Sequence, residues 1–241
     1  MKKLFTIFFI ILSVNNLNSQ IDIVHPPNWW IGFENQELQI LVKGEKISNY
    51  DVSIDYPGIN LKQIHKADSP NYLFIDLNIS NKTKPGTFKI KFKNENGDLI
   101  HYYKLDNKRV LKKQNNGFDS SDVVYLITPD RFANGDYSND IVTGLKEDKI
   151  NRDDNYARHG GDLKGITKNM EYINEMGFTA LWLNPVLIND MKEGSYHGYA
   201  TTDYYTIDPR FGTLSDYLDF SERAKKNNIK LIKDIIVNHC G

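Results

Sequence analysis

Several short runs combine aromatic rings, histidines, carboxylates and amides in a way that suits sugar chemistry. One is Tyr196-His197-Gly198-Tyr199, and a second holds Asp203-Tyr204-Tyr205 followed by Asp208-Pro209-Arg210-Phe211-Gly212-Thr213. A third is Asp234-Ile235-Ile236-Val237-Asn238-His239. A flat aromatic face matches the C–H face of a pyranose, while histidine, aspartate and asparagine offer donors and acceptors to its hydroxyls. Within these runs Tyr199, His197, His239, Asp234, Asn238 and Asp203 are the candidate site residues. For each histidine the alternative is a satisfied structural role, and for Asp203 and Asp208 the alternative to sugar contact is fixing their own loop. A fourth run places the hard oxygen ligands Asn134, Asp136, Asn139 and Asp140 close together, with the Gly160 carbonyl and Asp162 following at the next loop. Six such oxygens suit Ca²⁺. The spacing is not that of an EF-hand, and an Asx-rich turn explains it equally well.

These runs need a scaffold, and the pattern supplies one. From residue 122 the chain alternates strand, loop and helix. Strands are expected over Val123 to Thr128, Thr179 to Val186 and Ile229 to Val237. The first is a continuous apolar run, as for a strand buried on both faces. One helix starts at an Asp162 cap, buries Leu163, Ile166, Met170, Ile173 and Met176, and stops at Gly177. A second covers Ser215 to Asn228, with Leu218, Ser221 and Ala224 inward. Repeated βα units imply a parallel sheet, and the polar runs fall at its carboxyl ends, where barrel enzymes keep their sites.

Upstream, over 21–105, the period is two. Leu38, Ile40 and Val42, then Val52, Ile54 and Tyr56, then Leu73 to Ile79, then Phe88, Ile90 and Phe92 alternate with other residues, the last against Lys89, Lys91 and Lys93. Asn96-Gly97 signals a hairpin returning through Leu99, His101 and Tyr103. Short strands with no helical pattern between them predict an all-β, immunoglobulin-like sandwich. The polar stretch 106–121 reads as a linker, and 122–241 as a partial barrel. Trp29 and Trp30 suit a core edge or domain junction better than a sugar-binding face.

Residues 1–20 stand apart. Lys2 and Lys3 precede the apolar run Leu4 to Leu12, interrupted by Thr6, and a polar stretch leads to Ser19 at a candidate cleavage point. That is the grammar of a secretory signal peptide, too short to span a bilayer. It places the mature protein outside the cytoplasm, secreted or periplasmic, without a membrane association; a retained anchor or an N-terminal strand is the alternative. Lys plus Arg is 30 against 31 Asp plus Glu in 241 residues, so no basic field invites nucleic acid. A single cysteine, Cys240, excludes an internal disulfide or a cysteine-based zinc site.

In series, the Tyr196–Tyr199 loop, the Asp203–Thr213 loop and the Asp234–His239 segment resemble the α-amylase superfamily, glycoside hydrolase family 13. The run His25-Pro26-Pro27-Asn28-Trp29-Trp30-Ile31-Gly32 at the head of the sandwich resembles the neopullulanase and cyclomaltodextrinase subgroup. The resemblance implies a TIM (β/α)8 barrel, α-glucan substrates with α-1,4 and in some members α-1,6 links, and retaining hydrolysis. It has Tyr199 stacking on the sugar at the cleavage subsite, His197 and His239 bonding its hydroxyls, Asp234 orienting, Asn238 hydrogen bonding, and Ca²⁺ held by Asn134, Asp136, Asn139, Asp140, Gly160 and Asp162. It assigns the catalytic carboxylates to strands four, five and seven. Residues 122–241 hold three strands, well short of the roughly 250 residues of a whole barrel, so the expectation is a truncated, N-terminal portion with no catalytic carboxylate and no activity of its own. The remaining readings are a non-catalytic glucan-binding protein and a sugar transferase or isomerase of the same superfamily; a homodimer is open.

Overall fold

The structure, a computed structural model, describes residues 21–95, 97–108 and 117–241. The signal-type leader over 1–20, Asn96 of the expected hairpin and 109–116 of the expected linker lie outside the described residues. The chain divides into two compact units, Met1–Val110 and Leu111–Gly241.

The first unit has eight described strands: β1 (Ile21–His25), β2 (Asn28–Ile31), β3 (Glu37–Gly44), β4 (Asp51–Ile54), β5 (Ile59–Lys66), β6 (Tyr72–Ile79), β7 (Gly86–Asn94) and β8 (Gly97–Asn107). They form two sheets, ordered β1-β3-β6-β5 and β2-β8-β7-β4. All pairings are antiparallel except β2 with β8. Alternation decides which side is inward. On β7, Phe88, Ile90 and Phe92 are buried while Lys89, Lys91 and Lys93 are exposed. Ile40, Val42, Leu73, Ile75 and Leu77 meet them in one core. This is the expected sandwich. Asn94 of β7 pairs with Gly97 of β8. Strand β8 continues to Asn107, two residues into the stretch read as linker. Trp29 packs against the core edge and Trp30 points outward.

The second unit is the start of a barrel. Its main sheet is β9 (Val124–Ile127), β10 (Ala180–Leu183) and β13 (Lys230–Lys233), parallel, with β10 central. The strands are shorter than expected, and the third ends at Lys233, so the run from Asp234 onward is loop. Burial also differs from the two-sided expectation for β9. Ile127, Leu181 and Leu183 pack against helices, but Val124, Leu126 and Trp182 on the opposite face are exposed. Between β9 and β10 lie α1 (Pro129–Phe132), α2 (Leu163–Lys168) and α3 (Met170–Glu175). The expected single helix is thus broken at Asn169, whose side-chain amide donates to the Gly165 carbonyl. Met176 lies beyond it and is exposed. Asp162 does cap α2, accepting from the Gly165 amide. After β10 come the antiparallel pair β11 (Leu187–Ile188) and β12 (Asp203–Ile207), then α4 (Leu214–Lys226). A capping box between Thr213 and Asp216 starts α4. Its buried stripe is Tyr217, Phe220 and Ala224; Leu218, expected inward, sits with Leu214 on the outer face, because the two aromatic rings fill the space against the sheet.

Candidate functional site

The loops after β10 and β13 converge on Asp234. Its Oδ2 accepts from the Tyr199 hydroxyl at 3.1 Å and from the Trp182 indole N–H at 3.0 Å. Trp182 projects from the exposed face of the sheet, so its N–H reaches past the end of β13. Tyr199 is then fixed from three further sides. Its amide donates to His197 Nδ1 at 2.9 Å, its carbonyl lies 3.0 Å from His239 Nε2, and its ring stacks on the His197 ring at 5.8 Å and 25°. With Nδ1 accepting, the His197 proton belongs on Nε2. The Tyr204 hydroxyl donates to the His239 carbonyl at 2.7 Å, tying the third loop to the second.

The turn that presents these rings, Ser195–His197, is bracketed by Gly194 and Gly198, both left-handed. At Gly198 a side chain would collide with the Pro185 carbonyl, so this position admits only glycine. Burial pushes the Tyr199 phenol up, and the neighbouring Asp234 carboxylate adds to that. Burial pushes the His197 imidazole down, against the opposing charge of Glu147. At neutral pH both rings are therefore uncharged, hydrogen-bonding groups beside one carboxylate.

Of the sequence-derived contacts, Tyr199, His197, His239 and Asp234 come together. Asn238 is exposed beside His239. Asp203 is bound within its own turn, accepting from the Tyr205 amide and the Thr206 hydroxyl. Asp208 is fully buried and holds Arg210. Trp182 was not among the expected residues. Its signal was an indole on a strand face, where the N–H requires a partner.

The oxygen-rich loop divides in two. Asp162 is engaged by backbone amides of Gly135, Asp136 and Gly165, and Asp136 accepts from Ser138 and from Lys164 Nζ at 2.5 Å. That lysine bond, the largest influence, holds the Asp136 carboxyl well below the usual carboxylate range. Both side chains thus brace the loop, which departs from the expected six-ligand set. The other four are Asn134, Asn139, Asp140 and the Gly160 carbonyl. Asn134 Nδ2 donates to Asp140 Oδ1 at 2.6 Å beside the bare Cα of Gly160, where a side chain would strike both, and Asn134 Oδ1 accepts from the Asp136 amide at 3.0 Å. Asn139 Oδ1 is buried with no hydrogen-bond partner.

Residues 126–241 match the alpha amylase catalytic domain model, and residues 23–109 match the cyclomaltodextrinase N-terminal model. Over these two stretches the chain is similar to the α-amylase superfamily. It is 35% identical over 159 residues to a cyclomaltodextrinase of Thermoanaerobacter pseudethanolicus, an alignment covering 66% of this chain and 26% of the relative. It is 41% identical over 122 residues to a β/α-amylase of Paenibacillus polymyxa, covering 51% of this chain and 10% of that one. Against neopullulanase 2 of Thermoactinomyces vulgaris the identity is 40% over 119 residues, 49% of this chain and 20% of the relative. The chain thus spans about a quarter or less of the length of these superfamily members.

Proposed function

We propose that the protein is an α-glucan hydrolase of neopullulanase or cyclomaltodextrinase type, cleaving α-1,4 and α-1,6 glucosidic links with retention. The observation that carries this reading is the Asp234 hub: one carboxylate oxygen fixes the Tyr199 ring while His197 and His239 flank the same residue, at the carboxyl ends of parallel strands. Tyr199 offers its face to a glucose ring, His197 and His239 bond the hydroxyls, and Asp234 sets the ring's angle. Bond cleavage belongs to the carboxylates that the superfamily resemblance assigns to later strands. The residues here bind and orient. Calcium, held by Asn134, Asn139, Asp140 and the Gly160 carbonyl, would neutralise the loop beside α2. The basic, apolar and polar succession over 1–20 supports export, to the periplasm or beyond. Among the described residues no helix is long and apolar enough to cross a membrane.

The test is saturable binding of maltotriose by the 241-residue chain, read from the fluorescence of Trp182. Tyr199→Ala is expected to weaken it at least tenfold, and Tyr199→Phe, which keeps the ring and loses the Asp234 bond, by less. Cellotriose, of the same size with β links, is expected not to bind. Equal response to both sugars, or none to maltotriose, overturns the reading.

A further inference from the structure

Ser195 opens the turn that carries His197 and Tyr199, and it is completely buried. Each of its polar groups is gripped by a different buried side chain. Its amide donates to Glu147 Oε2 at 2.7 Å. Its hydroxyl accepts from Arg158 Nη1 at 3.2 Å. Its carbonyl accepts from Asn189 Nδ2 at 3.3 Å. Arg158 and Asn189 are themselves almost wholly buried.

A second tier holds these grips. Arg210 and Asp208 form a fully buried ion pair at 2.7 Å. Arg210 donates to the Glu147 carbonyl at 3.2 Å and to the Asn189 carbonyl at 2.7 Å, and Asp208 accepts from the Asn189 amide at 3.3 Å. Arg158 lies over the Phe211 ring at 4.8 Å, next in sequence to Arg210. The segments around Glu147, Arg158 and Asn189 therefore meet at one serine, and Arg210 braces two of them. Buried charges of this kind cost desolvation and contribute little net stability over an apolar core. Their attested use is to specify one conformation among several. Here the conformation specified is that of the turn presenting the sugar-stacking ring.

We propose that Glu147, Arg158 and Asn189 are positioning residues that act through Ser195 to hold His197 and Tyr199 in the sugar-binding arrangement. The proposal rests on the reading of that arrangement as a glucan subsite for its purpose, but not for its geometry. No atom of the three touches the sugar. Their effect passes through the Ser195–His197 turn to the Tyr199 amide and the His197 tautomer.

The experiment is NMR on the 241-residue chain and its variants Ser195→Ala, Glu147→Ala and Glu147→Gln. The wild type should show the Nε2–H tautomer of His197 and a protected Tyr199 amide. Ser195→Ala and Glu147→Ala should average the tautomers and speed exchange of the Tyr199 amide at least tenfold, while amides of α4 keep their protection. Glu147→Gln, which still accepts from the Ser195 amide, should restore both signals. Ser195→Ala leaves the Glu147 and Asn189 grips in place and so remains readable if Glu147→Ala does not fold. An unchanged tautomer and Tyr199 amide in Ser195→Ala overturn the proposal, as does protection falling equally throughout α4. Maltotriose affinity should fall with the tautomer. A wild type that does not bind maltotriose counts against the glucan reading alone, since the tautomer and exchange are measured without sugar.

Discussion

Asp136 and Asp140 lie in the same loop and should answer calcium differently. Asp140 faces Asn134 and Gly160, whereas Asp136 is committed to Lys164 and Ser138. A cation bound only by the folded chain stabilises it by about 2.7 kcal/mol at a hundredfold excess over its dissociation constant. Calcium is therefore expected to raise the melting temperature of the wild type, and Asp140→Ala to abolish the rise. Asp136→Ala should lower the melting temperature by a similar amount with and without calcium, because it removes the lysine bond instead of a ligand. Magnesium should act poorly, since it demands a tighter octahedron. Identical melting curves in calcium and in EDTA would remove calcium from the proposal.

At the scale of elements, the amino end of the barrel sheet carries a latch. Lys230 on β13 reaches Asp122 just before β9 at 2.7 Å, and Asp122 also accepts from Thr179, just before β10. The lysine bond is the chief cause that lowers the Asp122 carboxyl to about 2. A carboxylate depressed on folding stabilises above its usual value near 4 and ceases to as the pH falls through the folded one. Between about pH 4 and pH 2 the wild type should lose more stability than Asp122→Asn, measured by urea midpoints; parallel profiles would show that the latch contributes nothing. How much of the elements was legible follows the same local logic. The strand Gly86–Asn94 was plain because Phe88, Ile90 and Phe92 face one core and the lysines between them face water. The strand Ile59–Lys66 was not singled out because a bulge between Leu61 and Gln63 breaks its alternation. The start of α4 was close because Thr213 and Asp216 cap it locally. Its inward face was misjudged at Leu218, since two apolar stripes run along the helix and only packing chooses between them. Tyr199, His197, His239 and Asp234 were legible through residue type and motif order. Glu147 and Arg158 were not, because they reach Ser195 across 48 and 37 residues.

Across the whole molecule the two units differ in how their apolar surface is covered. The sandwich encloses its core between two sheets. The barrel sheet packs one face on helices and leaves Val124, Leu126 and Trp182 exposed on the other. Exposed apolar surface of this kind is an association or dye-binding site. The 241-residue chain is expected to enhance the fluorescence of an apolar dye such as ANS. Hydrogen exchange should be slower in β3, β6 and β7 than in β9, β10 and β13. Equal protection in the two sets would mean that the barrel sheet is covered in solution.

The register of that sheet has a consequence for how the chain is made. Val124 pairs with Ala180, and Ala180 pairs with Lys230, so each contact closes a long stretch of intervening chain. The sandwich joins two pairs of consecutive strands, β5 with β6 and β7 with β8, and it too closes long stretches, as where β2 pairs with β8. At ribosomal rates of roughly 5–20 residues per second, the third barrel strand emerges on the order of ten seconds after Asn107. Sandwiches fold in about milliseconds to seconds. The first unit is thus complete before the second has its third strand.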